Sequence, residues 1–139
     1  MPEEEALPES PEDLVIEQLT REHRVRKFDC GNDELNQYIA RHAKTNTDHG
    51  HCRAYVAIKP GHPRVWAYYT LTSSAIDVQD YTSPIKCPQK VSCIRIGRMA
   101  VESSLQGMAI GTKLMIHALK TSVKASEIIG VHAVVLDPK

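Results

Sequence analysis

A run of small residues, Gln106-Gly-Met-Ala-Ile-Gly-Thr112, lies between an apolar segment and an amphipathic one. Gly107, Ala109 and Gly111 carry little or no side chain, so backbone N–H groups there can approach an anion closely. If a helix begins in this run, the unpaired N–H groups of its first turn and its dipole also favour negative charge. The spacing therefore predicts a phosphate-binding loop, and the alternative is a tight strand-to-helix turn without a ligand.

The loop matches neither of two common nucleotide-binding motifs. The sequence lacks Gly-x-x-x-x-Gly-Lys-Ser/Thr, which argues against a P-loop nucleotidase. It also lacks Gly-x-Gly-x-x-Gly followed by an acidic residue about 20 positions on, which argues against a dinucleotide-binding fold. A phosphate bound here would therefore belong to another class of ligand.

Hydrophobic periodicity places the loop in a chain of alternating strands and helices. Asn32 is a typical cap for the first helix, and Gly130 is typical of the end of the second helical region. Strands are predicted over 14–19, 54–58, 65–76, 92–101 and 131–136, helices over 33–44 and 111–122, a further helical turn over 123–128, and a loop over 77–91. The predicted fold is therefore α/β, with the order β-α-β-β-β-α-β. Its last two strands are expected to be parallel, because a helical crossover joins them.

The composition indicates a single folded domain without a membrane span. Of the 139 residues 42% are apolar, but no apolar run approaches the roughly 18 residues of a transmembrane helix. The N-terminus has neither the basic nor the apolar region of a secretory signal, so a cytoplasmic location is expected. The four cysteines form no Cys-x-x-Cys pair and are expected to be reduced thiols. The cluster His49-Gly-His51-Cys52 is expected to be a polar loop and not a metal site, because structural zinc needs four ligands.

The net charge of zero conceals an uneven distribution of charge. Residues 1–13 contain six acidic side chains, three prolines and no Lys or Arg, and are predicted to form a disordered acidic tail. The folded domain is then 14–139, with 17 basic and 11 acidic side chains. This surplus suits an anionic partner such as a phosphate-bearing cofactor or RNA, and the alternative is a solvated surface. The candidate RNA contacts are Arg24, Arg26, Lys27, Arg41, Lys44, Arg53, Arg95 and Arg98.

The element order and the loop together resemble the GNAT superfamily of acyl-CoA-dependent N-acetyltransferases. The signature of that superfamily is Gln/Arg-x-x-Gly-x-Gly/Ala, and residues 106–111 match it with Ala109 in place of the usual middle glycine. A second motif, Phe28-Asp-Cys-Gly-Asn-Asp-Glu-Leu-Asn-Gln-Tyr38, resembles a subgroup that reads Phe-x-Cys-Gly and then Leu-Asn-x-Tyr/Trp. That subgroup is the acetyltransferase toxins of bacterial toxin–antitoxin pairs. Further similarity lies at 50–56, 67–71 and 97–101.

The resemblance implies that acetyl-CoA is the acyl donor and that the amino group of aminoacyl-tRNA is the acceptor. It also implies a small ribbon-helix-helix antitoxin as a partner, and a homodimer is compatible with it. Two alternatives remain open, which are acetylation of a small-molecule or protein amine and a non-catalytic acyl-CoA-binding module.

The resemblance also assigns site residues. It places the cofactor in a wedge between the strand at 97–101 and the strand at 131–136. The pantetheine arm is expected along the backbone of Met99, Ala100 and Val101, and the N–H of Val101 or Met99 is expected to stabilise an oxyanion. The pyrophosphate is expected at the loop, where the methyl group of Ala109 would crowd it. The loop residues so assigned are Gln106, Gly107, Met108, Ala109, Ile110, Gly111 and Thr112.

Acid–base groups are less clearly marked in the sequence. Family members carry their general acid, a tyrosine, in a Phe-Tyr segment beyond the last strand. This chain ends at Lys139, and we expect that the sequence is truncated. Glu102 is a candidate to accept a proton through water, and the alternative is a solvated turn carboxylate or a charge at a helix terminus. His132 is expected to be a core or edge residue. Tyr68 and Tyr69 alternate faces, so one is expected in the core and the other in the acceptor groove.

Overall fold

The computed structural model of the chain describes residues 6–77 and 90–136, and these form a five-stranded mixed sheet. The strands lie side by side in sequence order: β1 (Val15–Gln18), β2 (Arg53–Ile58), β3 (Ala67–Asp77), β4 (Lys90–Val101) and β5 (Ala133–Leu136). The strands β1 to β4 pair with one another in antiparallel fashion, and β5 is parallel to β4. The predicted fold class and the parallel final pair are confirmed.

Two helical segments cover the faces of the sheet. The first consists of α1 (Asp33–Gln37), a π-helical turn (Tyr38–His42) and α2 (Ala43–Asp48), and therefore runs four residues beyond the predicted end. Asn32 caps it as predicted, because its Oδ1 accepts the N–H of Leu35 at 3.2 Å. The second is α3 (Ile110–Ile128), one continuous helix where a helix and a separate turn are predicted. Most of the predicted loop at 77–91 lies outside the described residues.

The sheet separates two hydrophobic cores. On one face, Leu114 of α3 packs with Trp66, Tyr69 and Ile96 of the sheet side. On the other face, Ile39 of the first helical segment packs with Phe28, Val56 and Tyr68. Tyr68 and Tyr69 face opposite sides of β3, as predicted. Both side chains are fully buried, however, so the expectation that one lines an open groove is wrong. Their hydroxyls are satisfied internally, by the carbonyl of Leu35 at 2.7 Å and by Nδ1 of His117 at 2.6 Å.

The N-terminal segment differs from the predicted disordered tail. Residues 1–5 lie outside the described part of the chain, but Pro11–Asp13 form a 3-10 turn. The Lys113 ammonium, in the first turn of α3, donates to the carbonyls of Pro11 and Leu14 at 2.7 and 2.6 Å. These two bonds fix the segment against the helix.

A bulge shapes the end of β4. Tyr69 pairs with Met99 and Leu71 pairs with Ile96, so two residues of β4 oppose the single residue Thr70. The buried Thr70 hydroxyl accepts the N–H of Arg98 at 3.0 Å and satisfies the donor that the bulge displaces. A bulge increases the local twist of a strand, so residues 97–101 run in a different direction from the part of β4 that pairs with β5.

The turn into α3 contains a strained residue. Ala109, at the N-cap of the helix, has φ of 64°, and it is the only non-glycine residue with positive φ in the described part of the chain. The left-handed conformation costs a non-glycine residue about 1–2 kcal/mol. The signature glycine that Ala109 replaces would adopt this conformation without strain.

We predict that Ala109→Gly stabilises the fold by about 0.5–1 kcal/mol, because relief of the left-handed strain exceeds the entropy that glycine adds to the unfolded chain. The measurement is the free energy of unfolding from urea denaturation. Ala125→Gly, in the right-handed interior of α3, is the matched control and should destabilise by about 1 kcal/mol. Destabilisation by both substitutions would contradict the assignment of strain to Ala109.

Candidate functional site

The last residues of β4 present backbone groups to an open strand edge. The N–H of Glu102 donates to the carbonyl of Trp66 at 2.9 Å, and the N–H of Arg98 donates to Thr70, so both face β3. Because N–H groups alternate edges along a strand, those of Met99 and Val101 face the opposite edge. Ala100, predicted with them as a cofactor contact, lies between Met99 and Val101, so by the same alternation its backbone groups face β3.

That edge is also the one to which β5 pairs, but only further back along β4. The parallel register joins Cys93–Ile96 of β4 to Ala133–Leu136 of β5, and no described strand pairs with this edge at 97–101. The described pairing of the two strands ends at Ile96 and Leu136, directly before the residues 97–101 where the sequence predicts the wedge. The edge beyond this point can accept an extended ligand as an added strand would be accepted.

The predicted phosphate loop follows directly. A 3-10 turn (Ser103–Leu105) connects β4 to it, and the buried side chains of Leu105 and Ile110 anchor its two ends in the core. The first backbone bond of α3 runs from the N–H of Lys113 to the carbonyl of Ala109. Within the described residues no acceptor lies on the N–H groups of Gly107, Ala109, Ile110, Gly111 and Thr112.

The space around the loop fits a phosphate. A Cβ built on Gly107 or on Gly111 would meet no atom within 4 Å, so both glycines border open space. Gly107 also has φ of 91°, a conformation that favours glycine. Several N–H donors and the positive end of a 19-residue helix converge beside this space, which is the arrangement that binds a pyrophosphate.

Gln106 has a structural role that the sequence prediction missed. Its side-chain amide donates to the carbonyls of Cys30 and Val101, both at 3.3 Å, and so ties the loop to β4. The N–H of Ser103 donates to the carbonyl of Asp29 at 2.9 Å. The motif at 28–38 and the loop, which lie far apart in sequence, therefore form one unit. Gln106 is the first residue of the loop and its side-chain amide carries two N–H donors. That is the sequence signal that could have indicated its structural role.

Polar side chains of the 28–38 motif hold the backbone of the motif in the conformation that contacts the loop. The carboxylate of Asp29 accepts the N–H of Gly31 at 2.9 Å and the amide of Asn36 at 3.0 Å, and these bonds lower the pKa of Asp29. Asn36 in turn accepts the N–H of Cys30 at 2.9 Å. The Asp29 and Asn36 side chains thus hold the backbone that meets Ser103 and Gln106.

Glu102 is buried, so it is not a solvated turn carboxylate, but it does lie at a helix terminus as the N-cap residue of the 3-10 turn. Its Oε1 lies 2.7 Å from Nη2 of Arg64, and its Oε2 accepts the hydroxyl of Ser104 at 3.1 Å. The Arg64 guanidinium also stacks 3.9 Å from the ring centre of Trp66. Arg64, which the sequence prediction did not single out, fixes this carboxylate at the end of β4.

The tyrosines of the described residues do not offer a proton donor at the open edge. Tyr38, Tyr68 and Tyr69 are buried, and burial raises the pKa of each hydroxyl. Tyr55 is half-buried and stacks on Tyr69. His132 is exposed just before β5, where its N–H donates to the carbonyl of Ser92.

The basic candidates divide into two groups. Arg24, Arg26, Lys27 and Lys44 line one pocket together, whereas Arg41, Arg53, Arg95 and Arg98 do not line it. The guanidinium of Arg98 lies 3.8 Å from the ring centre of Tyr38.

Other chemistries have no counterpart in the described part of the chain. No group of three or more His, Cys, Asp or Glu side chains there could hold a metal ion. Cys30, Cys52 and Cys93 are not in disulfides. None of the described helices is long and apolar enough to cross a membrane.

Comparison with known proteins identifies one class of relatives. No protein-family model matches the chain. A tRNA-acetylating toxin from Mycobacterium tuberculosis (strain ATCC 25618 / H37Rv) is 29% identical over 114 residues, which cover 81% of this chain and 68% of the relative.

Solved structures agree with this match. AtaT complexed with acetyl-methionyl-tRNAfMet superposes with a TM-score of 0.84 and 28% identity, over 91% of this chain and 78% of that one. A tyrosine-to-phenylalanine variant of the AtaT toxin, bound to the C-terminus of the antitoxin AtaR, is 31% identical over 88% of this chain and 74% of that one, with a TM-score of 0.76. The same variant with AtaR and acetyl-CoA is 30% identical over the same shares, with a TM-score of 0.73. With the open edge of β4, the loop and the 28–38 motif in place, the chain belongs to the GNAT acetyltransferase toxins.

Proposed function

We propose that the chain transfers the acetyl group of acetyl-CoA to the α-amino group of an aminoacyl-tRNA. The observation that carries the proposal is that the edge at Met99 and Val101 leads into a loop with several unpaired donors. Among the described residues, the N–H groups of Gly107 and of residues 109–112 have no acceptor. The structures of AtaT with acetyl-CoA and with acetyl-methionyl-tRNAfMet support the choice of donor and acceptor.

The parts of the site have separate tasks in this proposal. The edge of Met99 and Val101 aligns the extended arm of the donor, and the N–H groups of Gly107 and of residues 109–112 bind its pyrophosphate. Met108 and Ile110 pack their side chains toward the core beneath α3, so they contribute backbone and anchoring. Gln106 holds the loop against β4 through its amide. Acetyl-CoA supplies the acyl group already activated as a thioester.

The protein contributes positioning and electrostatics to the transfer. The N–H of Val101 faces the open edge, where we assign it to the acyl oxygen on which negative charge develops. A well-placed donor of this kind lowers the barrier by about 3 kcal/mol. Glu102 keeps the end of β4 in place through Arg64, and we assign it no proton transfer.

An antitoxin partner and a cytoplasmic location belong to the same proposal. The AtaT toxin binds the C-terminus of its antitoxin AtaR, and we propose a partner of the same kind for this chain. Charged tRNA and acetyl-CoA are both available in the cytoplasm, which is the reason for placing the protein there.

We predict that the purified protein with its native C-terminus, given acetyl-CoA and charged tRNA, yields N-acetylated aminoacyl-tRNA. The measurement is mass spectrometry of the aminoacyl-adenosine that nuclease releases from the tRNA. Acetylation of a simple primary amine without acetylation of aminoacyl-tRNA would show that the assigned acceptor is wrong. Absence of acetyl-CoA binding in calorimetry would overturn the donor site itself.

We predict that Gly111→Leu weakens acetyl-CoA binding by about tenfold to a hundredfold, the worth of one lost hydrogen bond to a charged group, because the side chain occupies the phosphate space. Folding should be retained, since a Cβ at this position meets no atom and leucine favours the helix. Calorimetry with acetyl-CoA and a thermal unfolding scan measure the two effects.

Gly130→Leu is the matched control for this substitution. Gly130 also has open space around its Cβ position and no positive φ, but it lies at the other end of α3. Acetyl-CoA affinity should be unchanged in this variant. If Gly111→Leu bound acetyl-CoA as tightly as the wild type, the loop would not be part of the donor site.

We predict that Glu102→Gln lowers the free energy of unfolding by about 1–3 kcal/mol, because the largely buried Arg64 guanidinium loses a charged partner. The transfer rate of the folded fraction and its pH dependence should match those of the wild type. Glu127→Gln, an exposed carboxylate on α3, is the control for charge. A rate loss of about a hundredfold or more with a changed pH profile would instead identify Glu102 as the general base.

A further inference from the structure

A pocket of about 450 Å³ lies between the loop at 23–27, the helical segment around residues 40–44, and Arg64. We call it the basic pocket. Among its described lining residues, five are Lys or Arg and none is Asp or Glu. The lining consists of His23, Arg24, Val25, Arg26, Lys27, Ala40, Lys44 and Arg64.

Buried side chains fix the loop that carries most of these charges. His23, Val25 and Phe28 are each about 5% exposed, whereas Arg24 and Arg26 between them are exposed. The Nδ1 of His23 accepts the N–H of Thr20 at 2.9 Å, so its Nε2 carries the proton and donates to Glu17 at 2.7 Å. The loop is therefore held before any ligand arrives, which reduces the entropy lost on binding.

Two further cations are held in the wall of the pocket. The Lys44 ammonium donates to the carbonyls of Arg21 and His23 at 3.0 and 2.7 Å. Arg64 is held by Glu102 and by the ring of Trp66. Because Glu102 directly follows Val101, this ion pair places the pocket next to the end of the strand that we assign to the donor.

Neighbouring cations act on Lys44 in the wall of the pocket. Burial lowers the pKa of Lys44, and the charges of Arg21 and Arg26 lower it further. An anion in the pocket would offset this repulsion and raise the Lys44 pKa again. Guanidinium groups suit phosphate best, because their fork geometry allows two parallel hydrogen bonds.

We propose that the basic pocket binds a backbone phosphate of the RNA acceptor, as a contact separate from the transfer site. The inference rests on the proposed function, in which that acceptor is a tRNA. Five cations around one opening suit a polyanion that presents neighbouring phosphates. A phosphate of acetyl-CoA shares the same chemistry, so the experiment distinguishes the two sources.

The test is Arg26→Glu, since the Arg26 side chain is exposed and takes no part in the proposed transfer site. Binding of uncharged tRNA is measured by fluorescence anisotropy across a series of salt concentrations. We expect affinity to fall at least about tenfold at low salt, and the slope of log affinity against log salt to fall by about one. Arg26→Gln should show a smaller loss in the same direction. Thermal unfolding should match the wild type in both variants.

Lys120→Glu is the matched control, because it changes the net charge equally on the exposed part of α3, across the sheet from the pocket. It should leave tRNA affinity within about twofold of wild type, which is less than the energy of one phosphate contact. Equal losses of tRNA affinity in Arg26→Glu and Lys120→Glu would show that the effect comes from net charge alone. That result would overturn the proposal that the basic pocket binds RNA.

A titration with acetyl-CoA separates the two sources of phosphate. Arg26→Glu should bind acetyl-CoA as the wild type does. Weakened acetyl-CoA binding with unchanged tRNA binding would assign the pocket to the donor and overturn the proposal. Uncharged tRNA lacks the α-amino group that the proposed reaction acetylates, so it tests binding apart from transfer. Pocket-dependent binding of uncharged tRNA without transfer to charged tRNA would overturn the proposed function alone.

Discussion

The site depends on the alternation of backbone groups along the last residues of β4. Antiparallel pairing with β3 uses the groups of Ala100 and Glu102, so those of Met99 and Val101 must face the other edge. The bulge opposite Thr70 adds twist at this point, and β5 pairs only up to Ile96. An unpaired strand edge usually favours aggregation with other chains. Here the edge leads directly into the loop and the first turn of α3.

The position of that edge and of the loop is stabilised from a distant part of the sequence. Gln106 donates to the carbonyl of Cys30, 76 residues earlier, and Asp29 accepts the N–H of Ser103. Each such hydrogen bond contributes about 1 kcal/mol, so none is decisive alone. Together they make the start of α1 and the start of α3 parts of one assembly, which explains why the 28–38 motif accompanies the loop.

Charge is distributed locally in a chain whose net charge is zero. Lys113 binds the carbonyls of the N-terminal segment, and Arg64 is paired with Glu102. Four further basic residues, Arg24, Arg26, Lys27 and Lys44, line one pocket together with Arg64, next to the end of β4. A negatively charged acceptor would therefore be attracted to the side of the molecule that holds the transfer site.

The sequence alone determined the order of the elements, the parallel final pair and the start of α3 at a loop of small residues, because local periodicity and backbone sterics encode these features. It also determined the family, since the motif at 28–38 and the loop are both contiguous. Tertiary structure decided the burial of Glu102, the burial of both Tyr68 and Tyr69, and the structural role of Gln106. The reason is that each of these depends on a partner far away in sequence, as Glu102 depends on Arg64, 38 residues earlier. Periodicity indicates which face of a strand a side chain occupies, but only the packed chain shows what covers that face.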